Sequence, residues 1–574
     1  TGQITYLKKL TIILFGQTQR ILNMRNIYFL QLPLTAHTAS LPQAVGTIWS
    51  YCNQFEEVSS KYNLAGVWWK DPIDIVDPYI IAASCYMWNW QETYAIIKDA
   101  KSKYPNCKVI VGGPDPKYTS QWCIDHPEVD AVIAYYGEET LRNVLTTDTF
   151  DLPGIVTKDF NNALNAVYAD PKMIPSPYLN GFFDKLLEGN TTKNIRAIFE
   201  GNRGCPYSCS FCDIGSKQYQ KIQMFDTDRC LQELDWICEN NINIIDVADS
   251  NFGIFPRDEL IVDYIVEQKQ NGRFNGSFMP TWAKTHGEQI IKLAKKLQNS
   301  GVDKIFGFSL QSTNPETLKN VKRKNAYDIK GFIPILEDMQ LENLSSYTEL
   351  IFPMPGDTKE SFKAGVHELL DMPVSFEMIQ INSLSRLSNT EFNTGFLDME
   401  WANIKGTAKP YDNGVTDEIC VSTSSIDRES VFESFFYARN FIIPMYWYGI
   451  TTYLADYLHK NNINRSVFLN ELYDQMFSEK LFADHKAEVR DHYFNSIDNN
   501  DHIGYYVSNC NYTDTAYSHL FYVQNNIFDY LKERYPEHSD IISANQKDFK
   551  SITDLSSWMT EIHIKGRFSK SWKN

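Results

Sequence analysis

The sequence predicts an α/β chain in three parts, on three observations. From Ile27 to about Leu145, apolar runs of four to eight residues alternate with amphipathic stretches, the pattern of a parallel, doubly wound sheet. The alternation resumes between Ile195 and Leu384 with six strand-like runs, enough for six βα units. From about Asn393 it stops, and long helical stretches rich in Phe, Tyr and Trp take over.

Composition supports a large folded chain. Of 574 residues, 43% are hydrophobic, ample for several cores. The net charge of −17 argues against a broad phosphate-binding surface, so no nucleic-acid partner is expected. Eleven cysteines in so long a chain do not make a disulfide framework. No apolar run approaches the roughly 18 residues that cross a bilayer, and a reducing, cytoplasmic location is expected. The apolar piece Leu10–Phe15 is too short for a secretion signal. Met24-Arg25-Asn26-Ile27 runs directly into a strand, so residues 1–23 read as an upstream extension without function.

The first sheet would use strands at Ile27–Leu32, Leu64–Trp69, Tyr79–Cys85, Lys108–Gly112 and Asp130–Tyr136, with helices such as Gln91–Lys103 between them. Such sheets bind ligands beyond the carboxyl ends of their strands. Three of those ends are distinctive: Ser84-Cys85-Tyr86-Met87-Trp88-Asn89, Val111-Gly112-Gly113-Pro114 and Tyr136-Gly137-Glu138-Glu139. The glycine pair lets backbone approach a bulky ligand closely, although Gly-Gly-Pro after a strand is more often a plain turn. Residues 151–194 hold Pro153, Pro171, Pro175 and Pro177 in polar sequence and read as a connector.

The strand Ile195–Phe199 leads into Glu200-Gly201-Asn202-Arg203-Gly204-Cys205-Pro206-Tyr207-Ser208-Cys209-Ser210-Phe211-Cys212. Three thiolates at C-x3-C-x2-C spacing on one tight loop can hold three irons of a [4Fe-4S] cube and leave the fourth iron open. Chance placement and a structural zinc site are the alternatives. Zinc generally takes four ligands, and the nearest histidines along the chain, His126 and His286, are remote from the loop. Further strands are expected at Ile242–Val247, Phe278–Thr281, Lys304–Leu310, Tyr347–Phe352 and Met378–Leu384. Chemistry in barrels of βα units sits at the carboxyl ends of the strands, where Asp249, Asn251, Ser309 and Gln311 fall, with Arg323 on the helix expected after the fourth strand and Glu349 on the fifth strand.

With an aromatic before the third cysteine, this loop resembles the radical S-adenosylmethionine (SAM) superfamily. The three strand ends upstream, in their order, resemble the cobalamin-binding domain of B12-dependent radical SAM enzymes. The resemblance implies a Rossmann-like cobalamin-binding domain over 24–150, a linker over 151–194, an open, partial (β/α)6 barrel over 195–395 and a mostly helical cap over 396–574. It implies a [4Fe-4S] cluster on Cys205, Cys209 and Cys212. SAM would be contacted by Phe211, near adenine, and by Asp249, Asn251, Ser309, Gln311, Arg323 and Glu349, where carboxylate and amide groups can bond the ammonium or ribose hydroxyls and Arg323 a carboxylate. Cobalamin would be contacted by Ser84, Tyr86, Trp88, Gly112, Gly113, Gly137 and Glu138. One departure stands out. The D-x-H-x-x-G motif that supplies a cobalt ligand in some B12 proteins is absent, and Asp125-His126-Pro127 only echoes it. Cobalt would then lack a histidine below it, and His37 and His126 read as ordinary surface or loop residues.

The implied activity is methylation of an unactivated carbon, or less often phosphorus, through a 5′-deoxyadenosyl radical and methylcobalamin. The substrate would be a small molecule or peptide, and the electron donor a reductant such as flavodoxin or ferredoxin. No catalytic residue beyond the cluster ligands is assigned. The rivals are a B12-dependent radical cyclisation or rearrangement, and a non-catalytic B12 and Fe–S binding or sensing protein. The polar residues at the strand ends can also serve loop backbone alone, and Asp357-Thr358 reads as a helix cap.

In the last third, Asp427–His459 reads as one long helix that Pro444 kinks or splits, followed by another over Val467–Glu479. Tyr446, Trp447, Tyr448, Tyr453 and Tyr457 read as core rather than substrate pocket, as do Cys230 and Cys238. Replacing Cys209 by Ala is expected to abolish SAM cleavage. Continued release of 5′-deoxyadenosine, followed by mass spectrometry, would refute the cluster assignment.

Overall fold

A computed structural model describes residues 24–33, 39–192, 194–284, 287–303, 305–325, 328–394, 398–405, 416–447, 449–499 and 527–551. The expectations for 1–23, His37, His286 and Tyr448 lie outside the described residues. The chain divides into two compact units, one of residues 1–204 with 221–248, the other of residues 205–220 with 249–574.

The first unit contains a six-stranded sheet. Its strands are β1 (Arg25–Leu30), β2 (Tyr62–Trp68), β3 (Pro78–Ser84), β4 (Lys108–Gly112), β5 (Ala131–Ile133) and β6 (Ile155–Val156), in the spatial order β2-β1-β3-β4-β5-β6. The first five pair in parallel, and β6 closes the edge antiparallel. Their sequences are apolar because both faces are covered: Leu30, Ile81, Val109, Val111 and Val132 belong to one core with Ile97 and Ala100 of the helix Trp90–Lys103. The order reverses beside β1, which puts the β3, β4 and β5 ends near a topological switch point.

The same unit holds β7 (Ile195–Phe199) and β8 (Ile244–Val247), which pair in parallel and are bridged by Arg196 and Asp246. The connector between the sheet and β7 is ordered by β6, two 3-10 turns and the helix Phe182–Leu187. The fully buried Tyr178 donates its hydroxyl hydrogen to the Ile198 carbonyl at 2.7 Å.

The second unit contains β9 (Ser277–Met279), β10 (Phe306–Gln311), β11 (Ser346–Phe352) and β12 (Met378–Ser383), with β10, β11 and β12 parallel neighbours. Helices alternate with these strands, including Pro256–Gln270, Gly287–Ser300, Ile329–Leu341 and Lys359–Leu370. All six strands expected between Ile195 and Leu384 are present. Thr358 caps the last of these helices through Ser361. The buried Asp357, its carboxyl pushed up to about 6 by burial, instead ties its own loop together by accepting from the Met354 backbone and the Thr317 hydroxyl.

Two features of the last third differ from expectation. An antiparallel hairpin of β13 (Met399–Lys405) and β14 (Thr416–Thr423) precedes the helices. The expected helix over Asp427–His459 is three pieces: Arg428–Phe435, a π-helix over Phe436–Trp447 and Thr452–Lys460. Pro444 lacks an N–H to continue an α-helical ladder, and the end of the π-helix is closed from downstream. The Thr451 amide and hydroxyl bond the Met445 carbonyl at 2.7 and 2.8 Å, and the Thr452 hydroxyl bonds that of Tyr446.

Tyr446 and Trp447 are core as expected, Tyr453 is half-buried, and Tyr457 is exposed instead. Trp447 Nε1 donates to the Phe376 carbonyl at 3.1 Å, Tyr446 bonds Asp456, and Tyr437, Phe441, Tyr473 and Phe477 pack edge to face. Cys230 and Cys238 are buried in their helix. The helix Arg465–Ser478 is pinned at its first residue. Buried Arg465 pairs with Asp456 at 2.6 Å and donates to the Leu370 and Met372 carbonyls at 3.0 and 2.9 Å. Charge-assisted bonds to carbonyls that would otherwise be orphaned are worth about 2 kcal/mol, so Arg465→Met is expected to lower the stability of the unit by about that amount in chemical denaturation.

Candidate active site

The cysteine loop is wound by its own backbone. Cys205 N–H donates to the Tyr219 carbonyl at 2.8 Å, Cys212 N–H to Cys209 at 3.1 Å, Gly215 N–H to Cys212 at 2.9 Å, and Ser210 N–H to Val321 at 3.1 Å. Gly215 is required by space: a Cβ there would lie 2.3 Å from the Cys209 carbonyl oxygen. Cys205 and Cys209 are buried, Cys212 is half-buried, and all three are free thiols.

Polar groups gather on these sulfurs. Asn251 Nδ2 donates to Cys205 Sγ at 3.1 Å. The buried Arg323 guanidinium is pushed down by burial and held up by Cys209, Cys212 and Cys205. Burial pushes the Cys212 thiol up, while the Lys284 ammonium acts to lower it. A ring of donors and positive charge around three thiols suits an anionic iron–sulfur cluster. Among the described residues no three His, Cys, Asp or Glu side chains gather tightly enough for a single metal ion. The ligands of a cube each hold a separate iron and need not converge on a point.

Arg323 extends the site. It donates to the Ser309 carbonyl and to Asn325 Oδ1, the latter at 2.9 Å, and Asn325 Nδ2 donates to the Leu310 carbonyl at 2.9 Å. Gln311 ends β10 with φ +67, beyond a register shift against β11. A non-glycine residue in this region is uncommon and marks a backbone held by its surroundings. Its Oε1 is buried without a partner, as is Asn251 Oδ1. Burial pushes the Glu349 carboxyl up, and Ser309, Arg323, Gln311 and Tyr347 pull it back down. Cys205, Cys209, Cys212, Asn251, Ser309, Gln311, Arg323 and Glu349 are thus linked in one network. Phe211 packs against Val321, Met354, Leu384, Phe392 and Cys420 beside that network. Asp249 is fully buried two residues before Asn251.

The sequence reading missed Lys284, Asn325 and Met354. Lys284 follows the end of the third central strand, whose polar residues were not weighed. Asp213 was also missed: burial pushes its carboxyl up to about 6, and its Oδ1 has no partner.

In the first unit the loops after β3 and β4 lie against each other. Asn89, buried, accepts from Tyr86 N–H at 2.8 Å and donates to the Ser84 carbonyl at 3.1 Å, and Tyr86 stacks on Trp88 at 4.5 Å. Cys85 N–H donates to the Gly112 carbonyl at 2.7 Å. Gly113, at φ +99, passes so close to Cys85 that a Cβ would lie 2.4 Å from its carbonyl oxygen. Gly137 and Glu138 open the helix Glu138–Thr147, and Glu138 is buried with Oε2 unpartnered. A backbone cradle that admits no Cβ and a buried bare carboxylate oxygen fit a bulky ligand carrying N–H donors, as a corrin does. His126 is part of an aromatic cluster: its Nδ1 donates to the Trp122 carbonyl at 2.8 Å and its ring stacks on Trp122 at 4.1 Å.

Because Gly215 has backbone against it, Gly215→Ala is expected to displace the Cys209 peptide. Iron and sulfide per chain after anaerobic reconstitution should fall to less than half of the unsubstituted value, about the loss of one ligand's hold.

Residues 200–369 match the family model of the Radical SAM superfamily, and residues 73–145 match that of the B12 binding domain. The cobalamin-dependent radical SAM methyltransferase TokK of Streptomyces tokunonensis is 29% identical over 438 residues, 72% of this chain and 64% of TokK. The 2-(S-pantetheinyl)-carbapenam-3-carboxylate methyltransferase of Streptantibioticus cattleyicolor is 27% identical over 477 residues, 78% of this chain and 69% of that protein. The chain therefore spans about two thirds of the length of these relatives, slightly less for TokK. Among solved structures, the cobalamin-dependent SAM radical enzyme OxsB with aqua-cobalamin and SAM bound has a TM-score of 0.53 at 16% identity, over 96% of this chain and 82% of OxsB. The radical SAM methyltransferase TsrM from Kitasatospora setae, with tryptophan and a SAM analogue, has a TM-score of 0.51 at 13% identity, over 71% of this chain and 88% of TsrM. The structural likeness is one of fold. The two family matches and the cysteine loop lead to one conclusion: the chain carries a radical SAM domain and a B12-binding domain, and these imply a [4Fe-4S] cluster, SAM and cobalamin.

Proposed function

We propose that the chain transfers a methyl group to an unactivated carbon, or to phosphorus, of a small-molecule substrate. The observation that carries this reading is the presence, in one chain, of the thiol network around Arg323 and the cobalamin-type loop set, in a sequence whose relatives are named methyltransferases. When bound, the cluster with SAM supplies a radical able to take hydrogen from an unactivated position, and cobalamin supplies the methyl group. The protein's part is to hold the cofactors and keep side reactions out.

Its residues divide that work. Cys205, Cys209 and Cys212 ligate the irons. Asn251 steadies Cys205 through its amide, and the Arg323 guanidinium offsets the negative charge of the thiolates. Glu349 accepts from the ammonium or ribose hydroxyls of SAM, with Ser309 and Gln311 fixing its carboxylate. The bare oxygens of Gln311 and Asn251 are further acceptors for those hydrogens. Phe211 offers an apolar face to adenine, and Asp249 stands close by in sequence for the polar end. In the cobalamin domain, Ser84, Tyr86, Trp88, Gly112, Gly113, Gly137 and Glu138 would hold the corrin. On this reading the chain divides into 24–150 for cobalamin, a linker over 151–194, 195–395 for the cluster and SAM, and a cap over 396–574. A reductant such as flavodoxin or ferredoxin supplies electrons, and no nucleic acid takes part. The relatives' names favour a carbapenam-like substrate class over a peptide.

The test is an anaerobic assay of reconstituted protein with cobalamin, SAM and a strong reductant. Methylation predicts both S-adenosylhomocysteine and 5′-deoxyadenosine. Release of 5′-deoxyadenosine alone would replace the reading with a cyclisation or rearrangement, and neither product from a cluster-loaded chain would leave a binding protein.

A further inference from the structure

The first unit contains a buried charge cluster with an imbalance. Arg203, two residues before Cys205, is buried at 7% exposure. Its Nε and one terminal nitrogen grip both oxygens of Glu200 at 3.0 and 2.9 Å, and its other terminal nitrogen holds Glu138 Oε1 at 2.8 Å. The Tyr136 and Phe225 rings flank the guanidinium, with centroids at 5.1 and 5.3 Å. One positive charge thus serves two carboxylates, and the second oxygen of Glu138 has no donor from the protein although it is buried. A buried charged oxygen left bare is costly, and native structures rarely keep one without a purpose.

The surroundings say what would come to it. Glu138 stands at the carboxyl end of β5, next to Gly137. The Arg203–Glu138 pair therefore ties the loop after β5 to the segment that leads from β7 into the cysteine loop. A corrin carries amide side chains around its rim, and their N–H groups are the complementary donors.

We propose that Arg203 is a positioning residue for cobalamin: it fixes Glu138 so that the free carboxylate oxygen accepts a hydrogen bond from a corrin amide. This rests on the cobalamin site of the proposed function. Arg203 acts through Glu138, so their effects on cobalamin affinity are one effect and not two.

The test is the dissociation constant of hydroxocobalamin for the full chain, read from its absorbance spectrum, beside iron per chain. Arg203→Lys and Glu138→Ala should each weaken binding about tenfold, the worth of one charge-assisted hydrogen bond. The double variant should be no weaker than either single one. Affinity within twofold of the unsubstituted chain, or losses that multiply in the double variant, would overturn the proposal. Should Arg203→Lys fail to fold, the variant combining Arg203→Met, Glu138→Gln and Glu200→Gln removes every charge of the cluster. A tenfold loss in it supports the proposal and unchanged affinity overturns it. An unsubstituted chain that binds no hydroxocobalamin would instead overturn the cobalamin site itself.

Discussion

A buried guanidinium is tolerable only where acceptors surround it, and each unit of this protein is organised at its chemical end by one. In the second unit Arg323 is answered by the three cysteine sulfurs, the Ser309 carbonyl and Asn325. In the first, Arg203 is answered by Glu138 and Glu200. Removing one member of such a set leaves the others charged and dry, a penalty larger than the net worth of the pair. The arginines therefore constrain loops that would otherwise have many conformations.

The same logic accounts for the strained end of β10. The register shift against β11 and the positive φ at Gln311 re-aim the residues that follow Ser309. A regular strand would alternate Leu310 and Gln311 across the sheet. Local strain of this kind persists only when the neighbours over-determine it, and here Arg323 and Asn325 hold the Ser309 and Leu310 carbonyls on either side of the bend. The result is a set of polar groups at one strand end with two side-chain acceptors, on Gln311 and Asn251, that no protein donor uses.

Much of this was legible before any coordinates. Strands such as Pro78–Ser84 and Lys108–Gly112 hold continuous apolar runs flanked by helical periodicity, and that signal is strong wherever both faces of a strand are buried. The cysteine spacing identified the loop because ligand spacing is a local property of sequence. What was not legible depends on contacts between distant residues. The hairpin of β13 and β14 escaped because a bulge between Glu400 and Trp401 breaks the period-two alternation. The π-helix escaped because no residue pattern distinguishes it from an α-helix until Thr451 and Thr452 are seen closing its carbonyls. Lys284 escaped because its importance is its nearness to Cys212, which its own neighbours in sequence do not express.

The aromatic density of the last third has a physical explanation in that geometry. A π-helix is wider than an α-helix and leaves its side chains farther apart, so large rings are needed to fill the spaces around it. Tyr437, Phe441, Tyr473 and Phe477 do this by edge-to-face contacts, an arrangement that aromatic quadrupoles favour. Tyr437 also bonds His367 at 2.7 Å, and burial lowers that histidine, with the Lys363 ammonium adding to the effect. Rings held on all sides in this way stiffen the region. Their role is to support the strands they pack on, and the polar strand ends are left to carry the chemistry.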